Sequence, residues 1–276
     1  MTKIAGKVVA VTGASSGIGR ALGIALVQRG AHVALSDVNA AGLAETASLV
    51  KGATKVTTHV VDVRDWDAMQ KHAADVEQAH GGADIIINNA GLTVRDTIEG
   101  MAYEDFKLVL DVNLWGVVHG TKAFFPLFRK RGAGHFVNIS SINGMVPFHQ
   151  NGPYNMSKYA VYGLNETLMQ ELQGDTIKIT SVHPGGVRTN IAHSAKGMSA
   201  DLAAQFDTMA LTSAAKAADI ILDGVEKNRQ QVFVGFDAKL LALMKRVLPA
   251  WTVKFVGARS AEPARLLGAR AKRNRA

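Results

Sequence analysis

Apolar residues gather in seven short runs along the first 235 positions: Lys7–Val11, His32–Ser36, Lys55–Val61, Asp84–Asn88, His135–Ile139, Lys178–Val182 and Gln231–Val234. Several runs are apolar at consecutive rather than alternate positions, the pattern of strands covered on both faces. Between them, apolar residues recur at helical spacing over Gly19–Arg29, Trp66–Ala79, Tyr103–Lys130 and Tyr154–Leu172. Strand alternating with helix predicts a doubly wound α/β fold: a parallel sheet of about seven strands, joined by right-handed crossovers, with helices on both faces. No internal repeat or low-complexity linker interrupts residues 1–235, which predicts one domain over that span.

Two segments break the alternation. Thr189–Ala214 is small and polar, with Met198, Phe206 and Met209 scattered through it. It predicts a mobile connection with room for a short helix, and loops of this length in compact domains are usually functional. Past Gly235, Leu240, Leu241, Met244, Val247 and Leu248 form a stripe at helical spacing, Pro249 ends it, and a small, basic tail follows. The stripe predicts a helix docked over a neighbouring site or subunit, with the basic end left outside. A helix lying on an anionic membrane surface uses the same ingredients: an apolar face, aromatic residues such as Trp251 and Phe255, and a basic cluster such as Arg265–Arg275. Residues 236–276 therefore read as an extension, an apolar helix with a basic tail.

Composition narrows the function classes. With 47% apolar and 20% charged residues the chain is ordinarily globular. It has no cysteine, which excludes disulfides, thiolate metal sites and cysteine nucleophiles and fits a reducing, cytoplasmic setting. The opening MTKIAGKVVAVTG is wrongly built for a signal peptide, and no apolar run approaches the roughly 20 residues that span a bilayer. The formal net charge of +8 suggests nucleic acid until it is located. Ten of the 31 basic side chains and one of the 23 acidic ones fall within 239–276, leaving 21 against 22 in the body. A nucleic-acid-binding fold carries its charge on the folded surface, so no nucleic-acid partner is expected. The nine histidines show no metal-ligand spacing such as H-E-x-x-H, and no catalytic metal is expected.

Candidate chemistry begins at the first strand-to-helix turn, Thr12-Gly13-Ala14-Ser15-Ser16-Gly17-Ile18-Gly19. Glycines here let the backbone approach a pyrophosphate, and the helix N-terminus adds partial positive charge and free N–H groups. The spacing is G-x-x-x-G-x-G, and by itself it also suits a plain glycine turn. Asp37 ends the second strand, where a carboxylate can bind adenosine ribose hydroxyls and repel a 2′-phosphate. Its bland reading is a helix cap. No Lys or Arg lies between 37 and 50, and Arg20 is the only nearby base, so the pattern favours NAD, with NADP as second choice.

Thr12–Gly19, Asn88-Asn89-Ala90-Gly91 and Tyr154-x-x-x-Lys158 together resemble the short-chain dehydrogenase/reductase family over about residues 5–235, in the family's order. Asp62-Val63 after the third strand matches too, where the family places an acid on the adenine amino group. Pro184-Gly185-Gly186-Val187-Arg188-Thr189 matches the family's Pro-Gly-x-Val-x-Thr beside the nicotinamide carboxamide. The resemblance implies a Rossmann-type NAD-binding domain at 1–235 with 189–214 as substrate loop. It implies a cofactor cradle of Gly13, Ser15, Ser16, Gly17, Ile18 and Gly19, then Asp37, Asp62, Val63, Asn89, Ala90 and Gly91, and finally Tyr154, Lys158, Pro184, Gly185, Val187 and Thr189. It also implies a catalytic tetrad of Asn113, Ser141, Tyr154 and Lys158, and a homodimer or homotetramer paired through the two long helices.

The residues themselves suit these roles. Tyr154 and Lys158 lie four apart at a helix start, hence on one face. A phenol with a pKa near 10 is a poor base at neutral pH, and a nearby ammonium and the positive nicotinamide ring both favour the phenolate. Tyr154 then exchanges the proton of an alcohol or carbonyl, while Lys158 also holds the nicotinamide ribose. Ser141 ends the fifth strand and can polarise a substrate carbonyl; strand alternation turns Ser140 the other way. Asn113 is a mediocre helix former inside a predicted helix, and a local distortion holding a proton-relay water for Lys158 would explain it. Blandly, Tyr154 and Lys158 are an exposed pair, Ser141 a strand end and Asn113 a surface residue.

The reaction expected is hydride transfer between nicotinamide C4 and a secondary alcohol or ketone. Ile142, Asn143, Met145, Pro147, Phe148 and Gln150, with Thr93, Val94 and the 189–214 loop, suggest a lipophilic substrate, and His149 is a loop or surface residue. Two alternatives stand beside it: a non-catalytic dinucleotide-binding sensor, which would be expected to lose the Tyr or the Lys, and a membrane-surface protein using the basic tail.

Overall fold

The computed structural model describes residues 1–52 and 54–260. From the N-terminus, β1 (Val8–Thr12), α1 (Gly17–Gln28), β2 (His32–Asp37), α2 (Ala40–Leu49), β3 (Val56–Val60), α3 (Trp66–His80) and β4 (Ile85–Asn88) follow one another in strict alternation. Next come α4 (Tyr103–Leu110), a π-helical turn at Asp111–Trp115, α5 (Gly116–Arg131), β5 (Gly134–Ile139) and α6 (Gly152–Glu171). The remainder is β6 (Ile177–Pro184), β7 (Val187–Arg188), α7 (Ala200–Met209), β8 (Thr212–Ser213), α8 (Ala214–Glu226), β9 (Gln231–Val234) and α9 (Phe236–Val247).

Seven strands form one parallel sheet in the order β3-β2-β1-β4-β5-β6-β9. The consecutive apolar runs explain its two cores. On β1, Val9 and Val11 point into a cluster with Leu22 and Leu26 of α1 and Ile221 and Leu222 of α8. Val8 and Ala10 point into the opposite cluster, with Met69 of α3 and Phe124 and Phe128 of α5. Each such large side chain, fully buried, contributes about 1.5–3 kcal/mol. Strand order runs outward from β1 in one direction and from β4 in the other, so a crevice opens beyond their carboxyl ends, where ligands bind in such sheets.

A π turn divides the Tyr103–Lys130 helix into α4 and α5, and this local distortion falls at Asn113, as expected. The 189–214 connection holds a short helix, α7, and is anchored along its length. β7 pairs with β8 at its neck, Ser199 caps α7, and Arg95 N donates to Lys196 O at 2.9 Å. Finally, Pro249 ends α9 but opens a second helical stretch, 249–260, where a tail was expected. Proline suits the first turn of a helix because its missing N–H is not needed there. The basic cluster Arg265–Arg275 lies outside the described residues.

The C-terminal helices are docked, with an unexpected face inward. Ala238, Thr252 and Val256 make the buried contacts, Leu241 and Met244 are half-buried, and Leu240, Val247 and Leu248 face outward. Asp237 accepts a hydrogen bond from Gly186 N at 2.6 Å. The extension expected to begin at 236 is thus bracketed to the sheet edge at its second residue.

Candidate active site

The turn after β1 is built for close approach. Gly13 has φ +68°, and a Cβ on it would lie 2.7 Å from Ala90 Cα. A Cβ on Gly19 would lie 2.0 Å from Gly13 O. Neither position accepts a side chain. Ser16, at the N-cap of α1, makes no side-chain cap bond, so the first-turn N–H groups of Gly17, Ile18 and Gly19 remain available to an anion. Asn89 fixes the opposite wall: its amide donates to Thr12 O at 2.9 Å, and Asn89 N and Ala90 N both donate to Thr12 Oγ1 at 3.0 Å. A Cβ on Gly17 would touch Thr189 at 3.3 Å, so the start of the 189–214 segment closes over the same turn.

Asp37 accepts hydrogen bonds from Ser15 N at 3.0 Å and Asn39 N at 2.9 Å, which sets its carboxylate against the glycine turn. Arg20 is already committed. Its guanidinium donates to Ser15 O and binds both oxygens of Glu45, at 2.6 and 2.7 Å, and this holds the Glu45 carboxyl below its ordinary range. Asp62 is gripped by the Arg64 side chain, which lowers its pKa. The Val63 side chain packs against Gly116 of α5, and its carbonyl meets His119 Nδ1 at 2.8 Å.

The four candidate catalytic residues lie at the sheet's carboxyl edge. Asn113 sits in the π turn, and its amide clasps Leu92 on both sides: Nδ2 donates to Leu92 O at 2.8 Å and Oδ1 accepts from Leu92 N at 2.9 Å. Gly91 beside it is so close that a Cβ would lie 3.3 Å from Asn113 Oδ1 and 3.6 Å from Lys158 Nζ. Ser141 Oγ accepts from Asn143 N at 3.1 Å and lies 3.5 Å from Pro184 O, while Ser140 Oγ turns the other way and donates to Lys158 O. Lys158 Nζ donates to Ile139 O at 2.9 Å and lies 5.5 Å from the Tyr154 ring centroid. Burial pushes the Lys158 ammonium down to about 8. Burial also pushes the Tyr154 phenol up, against a lowering by the Ser141 hydroxyl. The protein alone therefore keeps Tyr154 protonated; forming the phenolate needs added positive charge.

The substrate-side loops are strapped together. Thr93 Oγ1 donates to Asn151 Oδ1 at 3.3 Å, Arg95 Nε to Gln150 Oε1 at 3.2 Å, and Asp96 N to Gln150 O at 3.1 Å. Asn143 Nδ2 donates to Asn155 Oδ1, whose own amide holds Phe148 O. His149 N donates to Ser260 Oγ at 3.4 Å, which ties this loop to the second C-terminal helix. Among the described residues, no three His, Cys, Asp or Glu side chains are grouped as metal ligands.

Sequence reasoning missed a buried polar chain beneath the site. Asn88 Nδ2 donates to Asn138 Oδ1 (2.8 Å), Asn138 Nδ2 to Asn165 Oδ1 (2.7 Å), and Asn165 Nδ2 to Ser181 Oγ (2.8 Å). Ser181 Oγ meets His183 Nε2 at 2.9 Å, and His183 Nδ1 meets Ser141 O at 3.4 Å. Burial holds His183 down to about 4, so the ring is neutral, and a carbonyl can only accept. The proton is therefore on Nδ1, Nε2 accepts from Ser181, and every donor in the chain points toward Ser141. The signal was present: Asn138 and His183 are polar positions on central strands next to apolar ones, and buried polar groups are hydrogen-bonded.

The family model for short chain dehydrogenases matches residues 7–200. The chain is similar to SadH of Mycobacterium tuberculosis (strain ATCC 25618 / H37Rv), 38% identical over 266 residues that cover 94% of this chain and 96% of that protein. Among solved structures it is similar to a short chain dehydrogenase/reductase from Burkholderia phymatum in complex with NAD, with a TM-score of 0.82, 26% identity, and 89% and 95% of the two chains covered. A short chain dehydrogenase from Mycobacterium paratuberculosis bound to NAD gives 0.74 and 27%, covering 84% and 97%.

Proposed function

Since the chain belongs to the short-chain dehydrogenase/reductase family of NAD(P)-dependent oxidoreductases, we propose that it interconverts a lipophilic secondary alcohol and its ketone, with NAD as cofactor. The observation that carries the reading is the convergence of Tyr154, Lys158 and Ser141 at the crevice edge, beside glycine positions that no side chain could fill. NAD, when bound, supplies the hydride-accepting ring and its positive charge. Tyr154 takes the alcohol proton in oxidation or gives it back in reduction. Lys158, the cation next to its ring, lowers the cost of the phenolate and holds the ribose hydroxyls. Ser141 Oγ donates to the substrate oxygen, where charge develops. The Asn113 side chain fixes the Leu92 backbone and lies with Lys158 Nζ beside Gly91, where the π turn is placed to hold a relay water. An intact Tyr–Lys pair speaks against a non-catalytic sensor.

Two features support NAD over NADP: the Asp37 carboxylate beside the glycine turn, and the commitment of Arg20 to Glu45. We expect kcat/KM to favour NAD by about tenfold or more, and Asp37→Ala to narrow that ratio by about tenfold, the worth of roughly 1.4 kcal/mol of removed repulsion. Initial rates with both cofactors measure it; a wild-type preference for NADP would sink the assignment. The reaction class is tested with secondary alcohols and ketones of graded lipophilicity, followed by NADH absorbance. The lipophilic reading requires kcat/KM to rise with apolar bulk, and turnover of none of them would remove the reading. The same proposal puts the protein in the cytoplasm as a dimer or tetramer, paired through the helices of 103–130 and 154–172, on which Trp115 of the π turn and Met156 and Tyr159 of α6 are exposed.

A further inference from the structure

On α9, Phe236, Leu240, Leu243 and Val247 stand at positions i, i+4, i+7 and i+11, within about 60° of one another around the helix axis. They face directly away from the buried Ala238 and are 43–76% exposed. Leu248 and Trp251, each 50% exposed, follow on either side of the break at Pro249. Gly186 packs between Ala210 and Asp237, so Met209 and Leu211, both exposed, adjoin the start of the strip. The centre of this outward face is apolar.

Cations rim it. Lys239 and Arg246 lie along one edge of the strip, Lys254 and Arg259 are exposed on the second helix, and no acid occurs from 239 to 260. Among the described residues, no carboxylate lies within salt-bridge distance of Lys239, Lys245, Arg246 or Lys254. Arg259 stacks over Phe255, which stacks on Trp251, an aromatic ladder ending in a charge. The remaining sequence, 261–276, adds five basic residues and one acid.

We propose that this C-terminal corner docks on an anionic lipid bilayer, the strip entering the acyl boundary and the rim cations meeting lipid phosphates. A second copy of the chain fits less well. An antiparallel two-fold pairing would set Lys239 and Arg246 of one strip against the same like-charged rim of the other. A bilayer presents the complementary arrangement, an apolar interior bordered by negative charge that attracts the rim cations. The strip also adjoins the substrate side, through Ser260 on His149 and Asp237 on Gly186. Docking itself does not depend on the proposed reaction.

The test is co-sedimentation of the full chain with phosphatidylcholine vesicles containing or lacking phosphatidylglycerol. Binding is expected to the anionic vesicles and to weaken about tenfold or more in about 1 M salt, where screening acts within about 3 Å. The double variant Leu243→Glu/Val247→Glu should lose binding, and Lys239→Glu/Arg246→Glu should weaken it, both with NADH binding unchanged as the measure of folding. Four results would overturn the proposal: no binding to either vesicle, equal binding to both, insensitivity to the Leu243/Val247 change, or loss of binding only on truncation after Ser260. A fifth is a smaller mass of the Leu243/Val247 variant by light scattering without lipid, which would make the strip a subunit contact.

Discussion

Tyr154→Phe is expected to lower kcat by about 10²–10⁴-fold, the range attributed to a positioned acid or base, with little change in NADH affinity. The ring that Lys158 faces at 5.5 Å remains, and only the exchangeable proton goes. The pH profile separates this from a folding defect. Burial holds the phenol up, so oxidation by the wild type should speed up with rising pH as the phenolate forms. The residual activity of the variant should lack that rise. Lys158, held down to about 8, limits the gain, because its cation is lost at higher pH. A variant that keeps kcat within about tenfold of wild type would remove Tyr154 from the proton transfer.

The second large effect is acid sensitivity. His72, His135 and His183 are at most 1% exposed, and burial holds them down to about 3, 4 and 4 against an ordinary 6.5. Their folded values lie below their unfolded ones, so the unfolded chain binds protons first. Their stabilisation is complete above pH 6.5 and is lost as pH falls toward 4. By pH 5 each histidine gives up about 2 kcal/mol, or about 6 together, against a usual total of about 5–15 kcal/mol. Urea unfolding should therefore show a steep fall in stability between pH 6.5 and 5. His72 offers a direct check, because neither ring nitrogen has a partner and the ring packs edge-on against Phe124. His72→Leu should recover most of its own share at pH 5 and cost little at pH 8. Equal stability at both pH values in the wild type would refute the account.

Strand positions were legible because the sheet is covered on both faces at its centre, which writes strands such as β1 and β4 as consecutive apolar runs. Lys7–Val11 and β1 differ by one residue at each end. The glycine turn and the Tyr154–Lys158 pair were legible for a related reason, since each depends on local spacing. The chain from Asn88 to His183 was not, because its members come from β4, β5, α6 and β6 and only folding aligns them. The C-terminal corner misled in a different way. Small residues, Ala238 and Thr252, make its close contacts, while the large apolar ones face out. Apolar periodicity marks a helix face without saying which way that face turns.

The π turn at Asp111–Trp115 amounts to one surplus residue threaded into a helix. Excising it would give a more regular helix, yet it would turn everything upstream by about 100° and draw it in by about 1.5 Å relative to α5. Val109 would leave its pocket, and Asn113 would let go of Leu92. The chain therefore keeps an irregularity whose repair would improve one element and unseat its neighbours. In this protein a deletion there would raise helical regularity while undoing the Asn113–Leu92 clasp, so a screen for helix content alone would favour chains whose fold at the crevice is damaged.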